Sequence, residues 1–173
     1  MAQTDLHIHS SLTAGGELSP RALAERCCEE QLTLAALTDR RAVSGVPECI
    51  WRGAQLGVRI LPGIELDCRR YAQDFLVLGL GIDITCPVLL DIERTRNDSA
   101  LPMTVEQALG SIHTAGGLAV FVTGGSGFLR ENLPPHRLGA VTFGGHETDI
   151  AAAVLAALTQ SEKSKRSFYH DSI

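Results

Sequence analysis

Short apolar bursts alternate along this chain with longer stretches of helical spacing. Thr4 to His9 predicts a first strand, with polar and apolar residues alternating from Asp5 to His9. Successive strand side chains face opposite ways, which puts Asp5, His7 and His9 on one face and Leu6 and Ile8 on the other. Ser11 to Glu17, with Gly15-Gly16, reads as a loop. Ser19 as N-cap and Pro20 at the first helical position start a helix that runs to about Gln31. Leu34 to Thr38 is wholly apolar until its last residue, as in a parallel strand covered on both faces. Pro47 opens a helix that stops at Gly57, and Val58 to Leu61 forms the next strand. Pro62-Gly63 predicts a kink, with Ile64 to Cys68 and then Phe75 to Leu80 extended after it.

Pro87 to about Arg96 reads as helix, followed by a polar break at Asn97 to Pro102. Thr104 and Gln107 have the spacing of a capping box for a helix ending at Ala115. Gly116-Gly117 ends it, and Leu118 to Val122 is a buried strand. Thr123 to Gly127 is a glycine-rich loop without the Lys of a phosphate loop, so it reads as a turn. Val141 to Phe143 predicts a short strand, and Thr148 to Leu158 an alanine-rich helix. From Thr159 onward no apolar period remains, which predicts a loose polar tail over 159–173. Alternating strands and helices imply an α/β domain with a mostly parallel sheet or a barrel.

In such folds ligands gather at the carboxyl ends of strands. His9, Asp39 and Glu65 each follow an apolar run, so the pattern places them together there. Two imidazoles and a carboxylate at such an end can grip a divalent cation. Taken singly, Asp39 also fits a turn former and Glu65 a loop residue.

Composition narrows the function classes. The 173 residues are 45% apolar, enough for one domain with a core. The net charge is -5, and no basic block precedes the tail. That argues against stable binding to nucleic acid, but not against hydrolysis of a small phosphorylated ligand. Five scattered cysteines without a C-x-x-C pair suggest a reducing, cytoplasmic setting, with Cys27-Cys28 read as buried thiols. No 18-residue apolar run exists and no leader is evident, so no membrane association is expected.

Four segments together resemble the PHP (polymerase and histidinol phosphatase) superfamily: Asp5-Leu6-His7-Ile8-His9-Ser10, Ala36-Leu37-Thr38-Asp39, Leu61-Pro62-Gly63-Ile64-Glu65-Leu66 and Leu78-Gly79-Leu80-Gly81-Ile82-Asp83. Within it the chain is most similar to the nucleoside 3',5'-bisphosphate phosphatase and oligoribonuclease branch. Thr104-Val105-Glu106-Gln107-Ala108 and Ala115-Gly116-Gly117-Leu118-Ala119-Val120 extend the likeness. The resemblance implies a distorted (β/α)7 barrel, incomplete here because no apolar run supplies a last strand. It implies a PHP-like domain over 1–158, with the branch's cap deleted between about 84 and 103. It also implies a metal-dependent phosphoesterase acting on a small phosphorylated nucleotide. His7, His9 and Glu65 match metal ligands, Asp39 matches a Thr-Asp-His motif, and His146 and His170 match substrate-side histidines.

Several family positions are replaced. Arg40 stands where the family has histidine, Gly15 where it has Asp or His, Leu76 for a histidine, and Phe168 for the final aspartate. Val122-Thr123-Gly124 replaces Ala-His-Pro. One divalent ion (Zn, Mn or Mg) is therefore expected rather than three, with impaired turnover and with Asp39 and Arg40 as the catalytic residues. The alternative is a catalytically inactive remnant acting as a binding or interaction module. An edge left open by a missing strand would suit a homodimer.

Overall fold

The computed structural model describes residues 3–70, 73–97, 101–122 and 141–142. The predicted elements over 123–140 and 143–173, including the Thr148 to Leu158 helix and the tail, lie outside the described residues, as do His146 and His170. In chain order the elements are β1 (Gln3–Ile8), α1 (Pro20–Glu29), β2 (Leu32–Leu37), α2 (Val46–Leu56), β3 (Arg59–Arg70), β4 (Gln73–Leu80), α3 (Pro87–Thr95), β5 (Met103–Thr104), α4 (Val105–Thr114), β6 (Leu118–Val122) and β7 (Val141–Thr142).

The helix ends follow local chemistry. Ser19 caps α1 through its hydroxyl, which accepts from the Ala22 N–H. Thr104 and Gln107 form the reciprocal capping box of α4. Gly57 ends α2 at φ 76, a left-handed position that suits glycine. Gly45 offers no side-chain cap to α2. Glu93 reaches across from α3 instead, accepting the N–H groups of Val43 and Ser44 just before the helix. Thus the span expected to have lost a cap holds α3, tied back onto α2.

The sheet is mixed, which corrects the expectation of mostly parallel strands. Its order is β1-β2-β3-β4-β6-β7, with β5 beside β3. β1, β2 and β3 are parallel, as are β6 with β7 and β3 with β5. β4 is antiparallel to both β3 and β6. Only residues 71 and 72 separate β3 from β4. A link that short allows a hairpin, whereas a parallel pair needs a crossover of a dozen residues or more. No described pairing joins β7 back to β1, so closure into a full barrel is not seen among the described residues.

Pro62-Gly63 does not interrupt the strand: β3 runs through it for 12 residues. Arg59 to Pro62 pair with β2, and Gly63 to Arg70 pair with β4. Pro62, lacking an N–H, sits where β3 changes partners. Its carbonyl accepts from the Gly81 N–H. Gly63 is fixed by space, since a Cβ there would meet Thr38 Cγ2 at 2.7 Å and the Leu37 carbonyl oxygen at 2.8 Å.

Helices cover one side of the sheet. Leu23, Cys27, Leu37, Val46, Cys49 and Ile60 pack α1 and α2 against β2 and β3. Ile64, Leu66, Val77, Leu89, Ile112 and Phe121 pack α3 and α4 against the rest. A further cluster contains strand residues only, among them Leu6, Ala36, Leu61, Leu78, Leu80 and Val120. Glu65, alternating with Ile64 and Leu66 along β3, falls on this strand-only side. Cys27, Cys49, Cys68 and Cys86 are buried as free thiols, but Cys28 is exposed, contrary to the reading of both members of the pair. Burial pushes the Cys27 thiol up to about 11 and the Cys49 and Cys68 thiols up to about 12, which removes them as nucleophiles.

Candidate metal centre

The site begins with an irregularity in β1. Asp5 pairs with Ala35 and Ile8 with Leu37, so three steps on β1 match two on β2. One residue is extra, which is a bulge. Strict alternation therefore fails, and with it the expectation that Leu6 and Ile8 share a face. Leu6 joins the strand-only cluster, while Ile8 packs with the helix-side cluster. His7 is turned to the same side as Glu65. Asp5 stays exposed, its Oδ1 accepting the His7 N–H at 3.0 Å.

Glu65 does not follow its strand, as the sequence pattern suggested, but lies within it. β3 overshoots β2, whose last pair is Leu37 with Pro62. Glu65 is thus level with the loop leaving β2, and Arg40 pairs with it in an isolated parallel bridge. The Arg41 N–H donates to the Glu65 carbonyl, and the Glu65 N–H to the Asp39 carbonyl. Overshoot and bridge together bring the carboxylate to the carboxyl ends of β1 and β2.

There the three sequence-predicted ligands meet. His7 Nε2 lies 2.6 Å and His9 Nε2 3.1 Å from Glu65 Oε2. The imidazole centroids are 5.0 Å apart, nearly perpendicular at 86°. One ligand atom from each residue falls within 4.8 Å of the others. Glu65 is fully buried, while the His7 and His9 side chains keep about a third of their surface exposed. Two imidazole nitrogens and a carboxylate oxygen, converging with a side open to solvent, fit the donor set of a catalytic zinc-type site.

Electrostatics favour a charged cluster. Burial alone would push the Glu65 carboxyl up, but hydrogen bonds from His7, His9 and Arg40 outweigh it. The group is held well below the ordinary carboxylate range. His9 is raised from its ordinary value by its hydrogen bond to Glu65, against the opposing effect of burial. The other carboxylate oxygen, Oε1, accepts from Arg40 Nε at 2.7 Å.

Asp39 is placed next to this cluster rather than in it. It is buried, and both its oxygens are engaged. Oδ1 accepts from the Ser10 N–H and the Thr13 hydroxyl, both at 2.7 Å, and Oδ2 from the Ser10 hydroxyl at 2.6 Å. The Thr38 N–H holds the Ile8 carbonyl. These bonds pin the loop that carries His9. Thr13 also accepts the Arg40 N–H. Gly16 is required in the same loop, because a Cβ would collide with the Ser10 carbonyl.

Sequence reasoning missed a second ion pair. Arg41, at φ 50, is almost fully buried and clamps Asp67 through Nε to Oδ1 at 2.7 Å and Nη2 to Oδ2 at 3.0 Å. It also donates to the Leu101 carbonyl at 2.9 Å. Asp67 is two residues beyond Glu65 on the same face of β3, a spacing that was available in the sequence. Nothing in the sequence marks the left-handed turn at Arg41 that aims it there. No buried side-chain nitrogen or oxygen among the described residues lacks a partner.

Known proteins place this geometry in context. The chain is 35% identical over 89 residues to a 3',5'-nucleoside bisphosphate phosphatase of Chromobacterium violaceum, a stretch covering 51% of this chain and 31% of that protein. It is 28% identical over 117 residues to the 5'-3' exoribonuclease Rnm of Salmonella typhimurium, covering 65% of this chain and 39% of the relative. The matched stretches thus span roughly a third of these curated relatives' length. Among solved structures, the fold matches an amidohydrolase from Chromobacterium violaceum with TM-score 0.67 and 20% identity, covering 78% of this chain and 70% of that one. It also matches a Bifidobacterium adolescentis protein assigned as a metal-dependent phosphoesterase, with TM-score 0.63 and 15% identity over 94% of this chain and 85% of that one. The family model for the PHP domain matches residues 5–138, a span that takes in His7 and His9, the Asp39 knot and the β3 carboxylate. By that match over most of its length, the chain belongs to the PHP domain family.

Proposed function

We propose that the chain is a metal-dependent phosphoesterase that hydrolyses small phosphorylated nucleotides. The observation that carries this is the convergence of His7 Nε2 and His9 Nε2 on one oxygen of a buried carboxylate. The phosphatase and exoribonuclease relatives support the substrate class. His7, His9 and Glu65 would hold a divalent ion, which would supply Lewis acidity toward a phosphoryl oxygen. The chain's own residues do the rest. Glu65 fixes the charge of the centre, the Asp39 knot sets the position of His9, and Arg40 adds positive charge where phosphate would sit. His146 and His170 enter as substrate contacts on their sequence motifs alone. With one cation where the family resemblance implied three, turnover is slower than in a fully furnished site. No described helix is long and apolar enough to cross a membrane.

The test is hydrolysis of a nucleoside 3',5'-bisphosphate with and without added Mn²⁺. Activity that depends on the ion and disappears in His9→Ala is expected. Protein that binds the ion but releases no phosphate would sink the proposal.

A further inference from the structure

Glu65 is a carboxylate with two occupied sides. Oε2 faces the two imidazoles, and Oε1 is held by Arg40 Nε. A buried carboxylate between two such positions could bridge a pair of cations. Here one position is filled by the protein itself. Arg40 keeps its charge at any pH the fold survives, and its guanidinium is a planar fork rather than a point.

The backbone of Arg40 is not free to carry the side chain away. Its N–H donates to Thr13 Oγ1 at 2.9 Å. Its neighbours on either side hydrogen-bond the Glu65 backbone, forming the parallel bridge. The side chain is 49% exposed, and its Nη1 and Nη2 groups have no partner among the described residues. One edge of the guanidinium is thus spent on the carboxylate that also meets both imidazoles, and its terminal nitrogens are unpaired among the described residues. A tetrahedral oxyanion is the ligand that such donors recognise.

We infer that Arg40 stands in for a second cation: it limits the centre to one metal ion and anchors a phosphoryl oxygen of the substrate through its Nη groups. A second divalent ion at Oε1 would have to displace a bonded, charged guanidinium and then sit beside it. The inference rests on the reading of His7, His9 and Glu65 as ligands, and it concerns what the remaining side of the same carboxylate does.

Calorimetric titration with Mn²⁺, together with elemental analysis after dialysis, tests the first half. The wild type is expected to take one ion per chain, and Arg40→His to show an added second binding step. Two ions per wild-type chain, or identical titrations for the two proteins, overturn the inference. A wild type that binds no ion overturns the underlying metal reading as well, so the two failures are distinguishable. Inorganic phosphate titrated into Mn²⁺-loaded protein tests the second half. Binding should weaken about tenfold or more in Arg40→Gln, the loss expected for hydrogen bonds to a charged group. Equal phosphate affinity in the two proteins overturns it. Arg40→Lys retains the charge without the fork. It should keep one ion while losing phosphate affinity, and it serves if Arg40→His does not fold.

Discussion

Glu65 and Asp67 are two residues apart on one face of β3, and consecutive arginines, Arg40 and Arg41, reach them. The two pairs look alike in a list of ion pairs, yet they are inverted. At Glu65 the carboxylate is fully buried and the arginine half exposed; at Asp67 the arginine is buried and the carboxylate partly exposed. Asp67 gives both oxygens to one guanidinium, whose Nη2 also holds the Leu101 carbonyl. Glu65 divides its oxygens between a guanidinium and two imidazoles. The Arg41–Asp67 clamp is structural, whereas the imidazoles leave Glu65 with bonds that a cation can replace. What separates a fastening from a candidate metal centre here is the company on the second oxygen, not the salt bridge itself.

Glu65→Gln keeps the shape but removes the charge, and Mn²⁺ affinity should fall by more than about a hundredfold, since even groups outside the ligand set are worth 10–100-fold. The matching change, Arg41→Met, should instead cost about 2–3 kcal/mol of stability in denaturant unfolding, leaving Asp67 without its clamp. Its Mn²⁺ affinity should stay close to wild type. A large loss of ion binding in Arg41→Met would join the two pairs into one unit.

Acidity sharpens the contrast by a smaller amount. His9 is raised in the fold, so its bond to Glu65 stabilises the metal-free protein below about pH 6.5 and is lost as pH rises through the raised value. Glu65 is depressed, so its contribution is present above about pH 4.3 and is lost as pH falls toward the lowered value. From these two groups, metal-free protein is most stable between those limits. Metal binding needs neutral imidazoles, so the rise in Tm caused by Mn²⁺ should grow with pH above that window. Thermal melts with EDTA or Mn²⁺ over a pH series read both trends. A metal-induced shift that is flat with pH would remove His9 from the ligand set. The smallest effect is reserved for Asp5→Ala. This exposed residue should change stability by no more than about 0.5 kcal/mol and leave Mn²⁺ affinity unaltered.

Much of this was legible from local chemistry. Ser19-Pro20, Gly57 and the Thr104–Gln107 box mark helix ends because each satisfies or ends a backbone ladder on its own. His7, His9 and Glu65 were readable as a group because two imidazoles and a carboxylate brought to the ends of neighbouring strands make up a common metal donor set. The geometry of that meeting was not legible. Period-two alternation cannot reveal an inserted residue, so the bulge between Asp5 and Ile8 was invisible. Pro62-Gly63 ordinarily signals a turn; here a change of neighbour on each side of β3 accommodates both residues inside a strand. The short span between β3 and β4 could have disclosed the hairpin, and with it the mixed sheet. Asp39, read as catalytic with Arg40, is engaged with Ser10 and Thr13 through partners that sequence spacing does not identify.

The extra residue in β1 carries a consequence for how this chain can change. Shortening the strand by one position would give a more regular ladder with β2 and, judged as a strand, a better one. It would also send either the leucine out of the oil or an imidazole away from its carboxylate. Repair of the backbone and retention of the chemistry are therefore opposed at this point, and a length change in the first nine residues should be tolerated less well than most single substitutions there.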